Sequence, residues 1–176
     1  MKACLATVLL LLPLIVCAQN DLDEKKGFQD IALGSDPKGY QGIILKKTTK
    51  DENFKKNSRD INIPEIDLYQ AKGGYYQDVA GIKIHKFIVK AFDNRIYEIE
   101  ITAEKDPDFY KGLESRYGPG NYSMPTNSYI WSGKEVRLSF KSESKKKVKL
   151  TYFLFAVNEW IKEKEKENAK SIADDF

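Results

Sequence analysis

A predicted β-hairpin at residues 82–103 constrains the fold more than any other part of the chain. Two runs of alternating apolar and polar residues flank Asp93-Asn94, a pair typical of tight hairpin turns. Regular pairing across a two-residue loop would set Val89 against Glu98, whereas one additional residue sets Val89 against Ile99. The same shift pairs Phe87 with Ile101 and Lys90 with Glu98. We therefore predict an odd-length loop or a β-bulge that keeps the apolar side chains on one face.

The first eighteen residues have the features of an export signal. Lys2 precedes an apolar run that is short for a bilayer span, and Val16-Cys17-Ala18 offers a cleavage site. We predict a signal peptide at 1–18, a mature chain from Gln19 and a secreted or periplasmic location. The alternative is a lipoprotein acylated at Cys17, although Val16 is bulky for that processing.

Removal of this segment would also change the cysteine content and the net charge of the mature chain. Both cysteines, Cys4 and Cys17, lie within it, so a cysteine-free mature chain would have no disulfide or thiolate site. Loss of Lys2 reduces the formal net charge from +3 to about +2. So balanced a charge argues against nucleic acid as the main partner, and no transmembrane span is expected in the mature chain.

The remaining pattern predicts an α+β fold in one domain, residues 19–176. Asp106-Pro107 begins a helix that Gly118-Pro119 ends, and three strands follow as a meander in which we pair Phe140 with Val148. A charged helix that frays towards the chain end is expected from about Val157. We predict an antiparallel sheet of five to seven strands, with one helix packed on a face and a C-terminal helix.

Two polar stretches are predicted to lack regular secondary structure. Residues 20–26 are polar and predicted to be loose. Residues 46–64 are predicted to form a basic loop, either solvated or a site for an anion or a partner.

The search for chemistry yields no catalytic residue, metal site or cofactor. His85 is the single histidine, so sites built on two histidines are impossible. Glu98 and Glu100 project from one strand face, roughly 6.5 to 7 Å apart by strand rise, a spacing open to acid-dependent hydrolysis. Because Lys86 and Lys90 are available as neighbours, we interpret the two acids as solvent-exposed ion pairs.

Aromatic residues near predicted turns provide the candidate binding site. A ring offers a large contact area at little entropic cost, which suits sugars and peptides. The candidate ligand-binding residues are Tyr75, Tyr76, Tyr122, Tyr129 and Trp131. Their partner would be an unknown protein, peptide or glycan.

The signal ending in Cys17-Ala18-Gln19, the Tyr117-Gly118-Pro119 helix stop and the Trp131-X-Gly133 hairpin resemble those of small exported bacterial proteins of unknown function. This resemblance implies a compartment and an α+β fold, and it carries over no catalytic residue. We expect an exported non-enzymatic binding domain. The alternatives are a carboxylate-dependent hydrolase and an envelope assembly or interaction protein that docks through its charged C-terminal helix.

Overall fold

The computed structural model describes residues 17–55 and 63–174, and side-chain surroundings from residue 21 onward. The fold is α+β with an antiparallel sheet and a C-terminal helix, as predicted. The helices are α1 (Cys17–Lys25), α2 (Pro107–Tyr117) and α3 (Val157–Asp174). The strands are β1 (Gly27–Phe28), β2 (Ile31–Ala32), β3 (Ile43–Lys50), β4 (Glu65–Ala71), β5 (Asp78–Val79), β6 (Ile82–Phe92), β7 (Arg95–Glu104), β8 (Asn121–Ser123), β9 (Ser128–Ser132), β10 (Val136–Ser142) and β11 (Lys147–Leu154).

One sheet of nine strands dominates the described residues. Its order is β3-β4-β6-β7-β11-β10-β9-β8, and β5 pairs with the beginning of β6. Strands β1 and β2 form a separate small hairpin. The expected count of five to seven is too low because β5 and β8 are only two and three residues long. Such short segments leave no alternating pattern to detect.

The β6–β7 hairpin has the predicted register. Val89 pairs with Ile99 and Lys90 with Glu98, while Ala91 pairs with Ile96, so Tyr97 is the additional residue of a β-bulge. The loop itself keeps two residues, Asp93 and Asn94, with φ of 50° and 58°. Two left-handed residues match the twist of the flanking strands, and the bulge corrects the pairing beyond them.

Helix α2 packs on the apolar face of the sheet, as its sequence predicted. The Asp108 N–H donates to the Asp106 side chain at the helix start. Phe109, Leu113 and Tyr117 are buried, and the Phe109 ring lies 6.1 Å from that of Phe140. We refer to this side of the sheet as the helix face and to the other side as the polar face.

The predicted pairing of β10 with β11 is wrong by two residues. Phe140 pairs with Leu150 rather than with Val148, and Leu138 pairs with Tyr152. A shift of two residues leaves every side chain on its original face. Apolar alternation therefore supports both registers equally and could not decide between them.

The N-terminal segment is ordered rather than loose. It forms α1, in which Leu22 is only 2% exposed. The Asp23 carboxylate accepts hydrogen bonds from three consecutive backbone N–H groups at 2.6 to 3.1 Å. These donors belong to Lys134, Glu135 and Val136. Burial opposes ionisation of Asp23, but the three bonds lower its pKa.

The predicted basic loop at 46–64 is partly a strand. Strand β3 continues to Lys50, and a short 3-10 helix follows at Glu52–Phe54. Residues 56–62 lie outside the described residues. Leu45 and Lys47 flank a bulge in β3, which breaks the alternation that would have revealed the strand.

Helix α3 is attached to the sheet at its beginning. Val157 is fully buried, and the Arg95 guanidinium lies 4.2 Å from the centre of the Trp160 ring. From Glu165 to Asp174 the side chains are exposed. Within the described residues, no helix has the length and apolar character needed to cross a membrane.

Replacing Asp23 by alanine should destabilise the fold. Three N–H groups at the β9–β10 turn would lose their acceptor, at a cost of about 1 to 3 kcal/mol in the free energy of unfolding. Urea denaturation of Asp23→Ala and of the control Glu24→Ala, an exposed neighbour, measures this cost. Equal stability of the two variants would show that α1 is not held through Asp23.

Candidate functional site

The candidate aromatic residues separate into two groups. Tyr76 is buried, its ring stacks on Phe87 at 4.4 Å between centres, and its hydroxyl donates to Asp30 at 2.9 Å. Burial and the bond to Asp30 raise the pKa of Tyr76. Tyr75 beside it is 45% exposed. Tyr76 therefore belongs to the core, and Tyr75 remains as a single exposed ring.

Tyr122 and Tyr129 lie side by side at the other end of the sheet. They are paired residues of β8 and β9, with ring centres 5.2 Å apart. Tyr110 of α2 adds a third ring, 4.6 Å from Tyr129. We call Tyr110, Tyr122 and Tyr129 the tyrosine surface. Adjacent ring planes are inclined by 52° and 58°. Tyr122 is 53% exposed, whereas Tyr129 and Tyr110 are partly buried against the core, so solvent reaches the set mainly at Tyr122.

Sequence reasoning missed Tyr110, which lies outside any predicted turn. It directly follows Phe109 on α2, so its ring lies at the margin of the helix's buried side. A tyrosine beside the apolar stripe of a helix that crosses a sheet was the available signal.

Hydrogen-bonding groups border the tyrosine surface. The Tyr122 hydroxyl donates to Asn127 Oδ1 at 2.6 Å, and the Tyr110 hydroxyl donates to Glu114 Oε1 at 2.8 Å. Burial and the Glu114 carboxylate raise the pKa of Tyr110 to about 12. The Met124 side chain at the β8–β9 turn is 83% exposed. The site thus combines ring faces with an amide, a carboxylate and an exposed thioether.

Trp131 is buried and packs next to the tyrosine surface. It is 5% exposed, and its indole N–H donates to the Gly118 carbonyl oxygen at 2.8 Å. Its ring centre lies 6.0 Å from that of Tyr110. Beside it is a cavity of about 30 Å³, bordered by Leu22 and Asn121 among others. That volume admits a few water molecules and is too small for a sugar or a peptide, so Trp131 acts in packing.

The polar face contains a buried charge cluster where sequence reasoning expected exposed ion pairs. We define it as Asp51, Lys90, Tyr97, Glu98, Glu100 and Lys149. Lys90 and Glu98 are only 9% and 7% exposed, so the exposed interpretation is wrong. The predicted partner Lys90 is present, but Lys149 of β11 takes the place of Lys86. Strand β11 could not be placed beside Glu100 from local sequence.

Lys90 is the centre of this cluster. Its Nζ lies 2.8 Å from Glu98, 3.1 Å from Glu100 and 3.4 Å from Asp51. Burial opposes its charge, but the three carboxylates raise the pKa of Lys90. Every described buried side-chain nitrogen or oxygen has a hydrogen-bond partner.

Asp51 links this centre to the segment after β3. Its Oδ2 accepts a hydrogen bond from the Tyr97 hydroxyl at 2.6 Å, and its Oδ1 accepts from the Asn53 N–H. The Tyr97 ring packs edge-on against Phe54 and Phe153. Tyr97 is thus fully buried at its bulge position. This burial and the hydrogen bond to the Asp51 carboxylate both raise the pKa of Tyr97.

Glu98 and Glu100 share a hydrogen bond and titrate very differently. Burial and the bond to Glu100 raise the pKa of Glu98 to about 7. Burial also opposes ionisation of Glu100, but bonds from Glu98 and Lys149 lower its pKa to about 2. Both carboxyl groups bind the Lys90 ammonium, at 2.8 and 3.1 Å, rather than facing a space that a sugar and a water could enter, as glycoside hydrolysis requires. Since the cluster's polar atoms are bonded to one another, its chemistry is that of a structural ion network.

His85 lies at a second bulge, between Ile84 and Lys86. The bulge turns Ile84 into the core and leaves His85 exposed, whereas regular alternation would have put His85 beside Phe87. Its Nε2 is 3.8 Å from Glu104 Oε1. No group of three or more potential metal-binding side chains occurs in the part of the chain that the structure describes.

Replacing Glu98 by glutamine should remove a pH dependence of stability. Above pH 4.5 the unfolded Glu98 loses its proton while the folded carboxyl keeps it up to about pH 7, so stability falls as pH rises through this window. The difference corresponds to roughly 3 kcal/mol at most. Glu98→Gln keeps a donor for Glu100 and cannot ionise. Urea unfolding between pH 5 and 8 should show a smaller decline for it than for the wild type.

Glu163→Gln, on the exposed part of α3, is the matched control and should retain the wild-type slope. Parallel pH profiles for wild type and Glu98→Gln would contradict a shared proton between the two glutamates.

The chain matches no protein-family model, no curated protein and no solved structure.

Proposed function

We propose that this chain is an exported, non-catalytic binding domain and that the tyrosine surface holds a carbohydrate. The observation that carries this proposal is the angled set of rings in which the exposed Tyr122 adjoins the partly buried Tyr129 and Tyr110. Tyr122 and Tyr129 come from paired strands and Tyr110 from a helix packed beside them, so the rigid fold itself holds the site open.

The groups around the rings suit a sugar. One face of a pyranose is apolar and packs on an aromatic ring, while its hydroxyls need donors and acceptors at the edge. Asn127 provides an amide that binds the Tyr122 hydroxyl, and Glu114 provides a carboxylate that binds the Tyr110 hydroxyl. Thr126 and Ser123 add two hydroxyls linked at 2.8 Å. The side chains of an extended apolar peptide would form few hydrogen bonds with these polar groups.

The buried charge cluster favours binding over hydrolysis as the role of the domain. A catalytic acid must reach its substrate, yet Glu98 is 7% exposed and directed to Lys90 and Glu100. Tyr122, by contrast, is half exposed. The accessible chemistry is therefore on the opposite, helix face of the sheet.

The export signal that the sequence predicts supports a role outside the cytoplasm. Lys2, the apolar run and Val16-Cys17-Ala18 form its three parts. A secreted or periplasmic protein meets cell-wall and extracellular polysaccharides, which is consistent with a sugar ligand.

Removing the rings should weaken sugar binding. Tyr122→Ala and Tyr129→Ala each delete a contact area that is typically worth more than about 1 kcal/mol, or at least about fivefold in Kd. Calorimetric titration with chito-, cello- and malto-oligosaccharides measures this loss. Tyr75→Ala removes a similarly exposed tyrosine at the other end of the sheet and should leave binding unchanged. Circular dichroism verifies that each variant is folded.

Failure of all three oligosaccharide series to bind the wild-type chain would overturn the proposal. So would an equal loss of affinity in Tyr75→Ala and Tyr122→Ala. Binding of unstructured peptides at the tyrosine surface in place of sugars would assign it to peptide recognition instead.

A further inference from the structure

A second surface lies at the far end of the sheet from β8. Strand β3 is eight residues long and pairs with β4 on one side, and no other described strand pairs with its outer side. An unpaired edge of this length exposes a row of backbone N–H and C=O groups. The opposite edge, β8, offers only three residues.

Two hydrogen bonds show which β3 residues direct their backbone outward. The Lys72 N–H donates to the Gly42 carbonyl at 2.8 Å, and the Asp51 N–H donates to the Pro64 carbonyl at 3.2 Å, so Gly42 and Asp51 face β4. Alternation along an antiparallel ladder, with the bulge between Leu45 and Lys47, then assigns every second residue to the open side. The outward residues are Ile43, Leu45, Thr48 and Lys50.

Apolar anchors flank this open backbone. Ile44 is 44% exposed and Leu45 is 54% exposed, and as consecutive strand residues they project from opposite faces of the sheet. A strand added beside β3 would cover both side chains at once. Main-chain bonds would then give affinity and the two anchors would give specificity, as in β-augmentation.

The charge of β3 identifies the partner. The strand has the sequence IILKKTTK, with exposed Lys46, Lys47 and Lys50 and no acidic residue. Pairing of this edge with the same edge of a second copy would bring lysines together, which is unfavourable across strands. A strand with acidic side chains gains instead. We propose that β3 binds an extended peptide segment of alternating acidic and apolar residues as an additional strand.

Peptide binding and amide hydrogen exchange test this inference, which is independent of the sugar site. The probes are an eight-residue peptide of alternating Glu and Val and its Lys–Val counterpart, with affinities measured by fluorescence anisotropy. We expect the Glu–Val peptide alone to bind and to slow exchange at Leu45 and Thr48. Replacing Lys46, Lys47 and Lys50 by Glu should weaken it at least tenfold. The control replaces three exposed lysines elsewhere, Lys83, Lys105 and Lys145, by Glu.

A second pair of variants isolates the backbone contribution. Leu45→Pro removes one outward N–H, a change that an edge strand accommodates, whereas Leu45→Ala shortens the side chain and keeps that donor. We expect Leu45→Pro to bind the Glu–Val peptide more weakly than Leu45→Ala. Equal affinity for both peptides, protection at residues away from β3, or dimerisation through β3 in the absence of peptide would each overturn the inference.

Discussion

The pairing of β6 with β7 is the constraint on which the rest of the structure depends. Two left-handed residues, Asp93 and Asn94, turn the chain, and the bulge at Tyr97 then moves the register by one position. This single additional residue pairs Val89 with Ile99, and both side chains are fully buried. Without it, carboxylates would enter the apolar core and the other strands would have no common face to extend.

The same bulge also creates the interior of the polar face. With Tyr97 outside the ladder, its hydroxyl meets Asp51 while its ring fills the space between Phe54 and Phe153. Lys90 then lies opposite Glu98 and binds both Glu98 and Glu100 of β7. Two carboxyl groups forced together share a proton, and the surrounding cations decide which of them stays ionised. The tyrosine surface lies on the other side of the sheet, the helix face.

Local sequence patterns predicted the elements whose side chains alternate cleanly or whose ends are capped. The hairpin register and the Pro107–Tyr117 helix are confirmed because turn residues, a cap and apolar spacing all agree there. The register of β10 with β11 was wrong because its alternatives differ by two residues and share one face. Helix α1 was missed because its attachment depends on Asp23 meeting a turn more than a hundred residues away.

The candidate site shows the same division between local and distant information. Tyr122 and Tyr129 were selected because they adjoin a turn, and the structure brings them together with Tyr110, which lies outside any predicted turn. Tyr76 and Trp131 share the turn signal but are buried by packing against Phe87 and α2. Asp51, which follows β3, contacts Tyr97 and Lys90 of the buried charge cluster, and strand spacing does not reveal these contacts.

The position of Asp51 has a mechanical consequence for the outer strand. A terminal strand held by its ladder alone can separate from a sheet one bond at a time. Here the residue directly after β3 is bound to Tyr97 and Lys90 in the middle of the sheet. Tension pulling β3 away from that end must therefore break two contacts with buried groups before the first ladder bond opens. Asp51 thus ties the edge strand β3 to the central strands β6 and β7, and β3 resists separation at the end where it would otherwise open first.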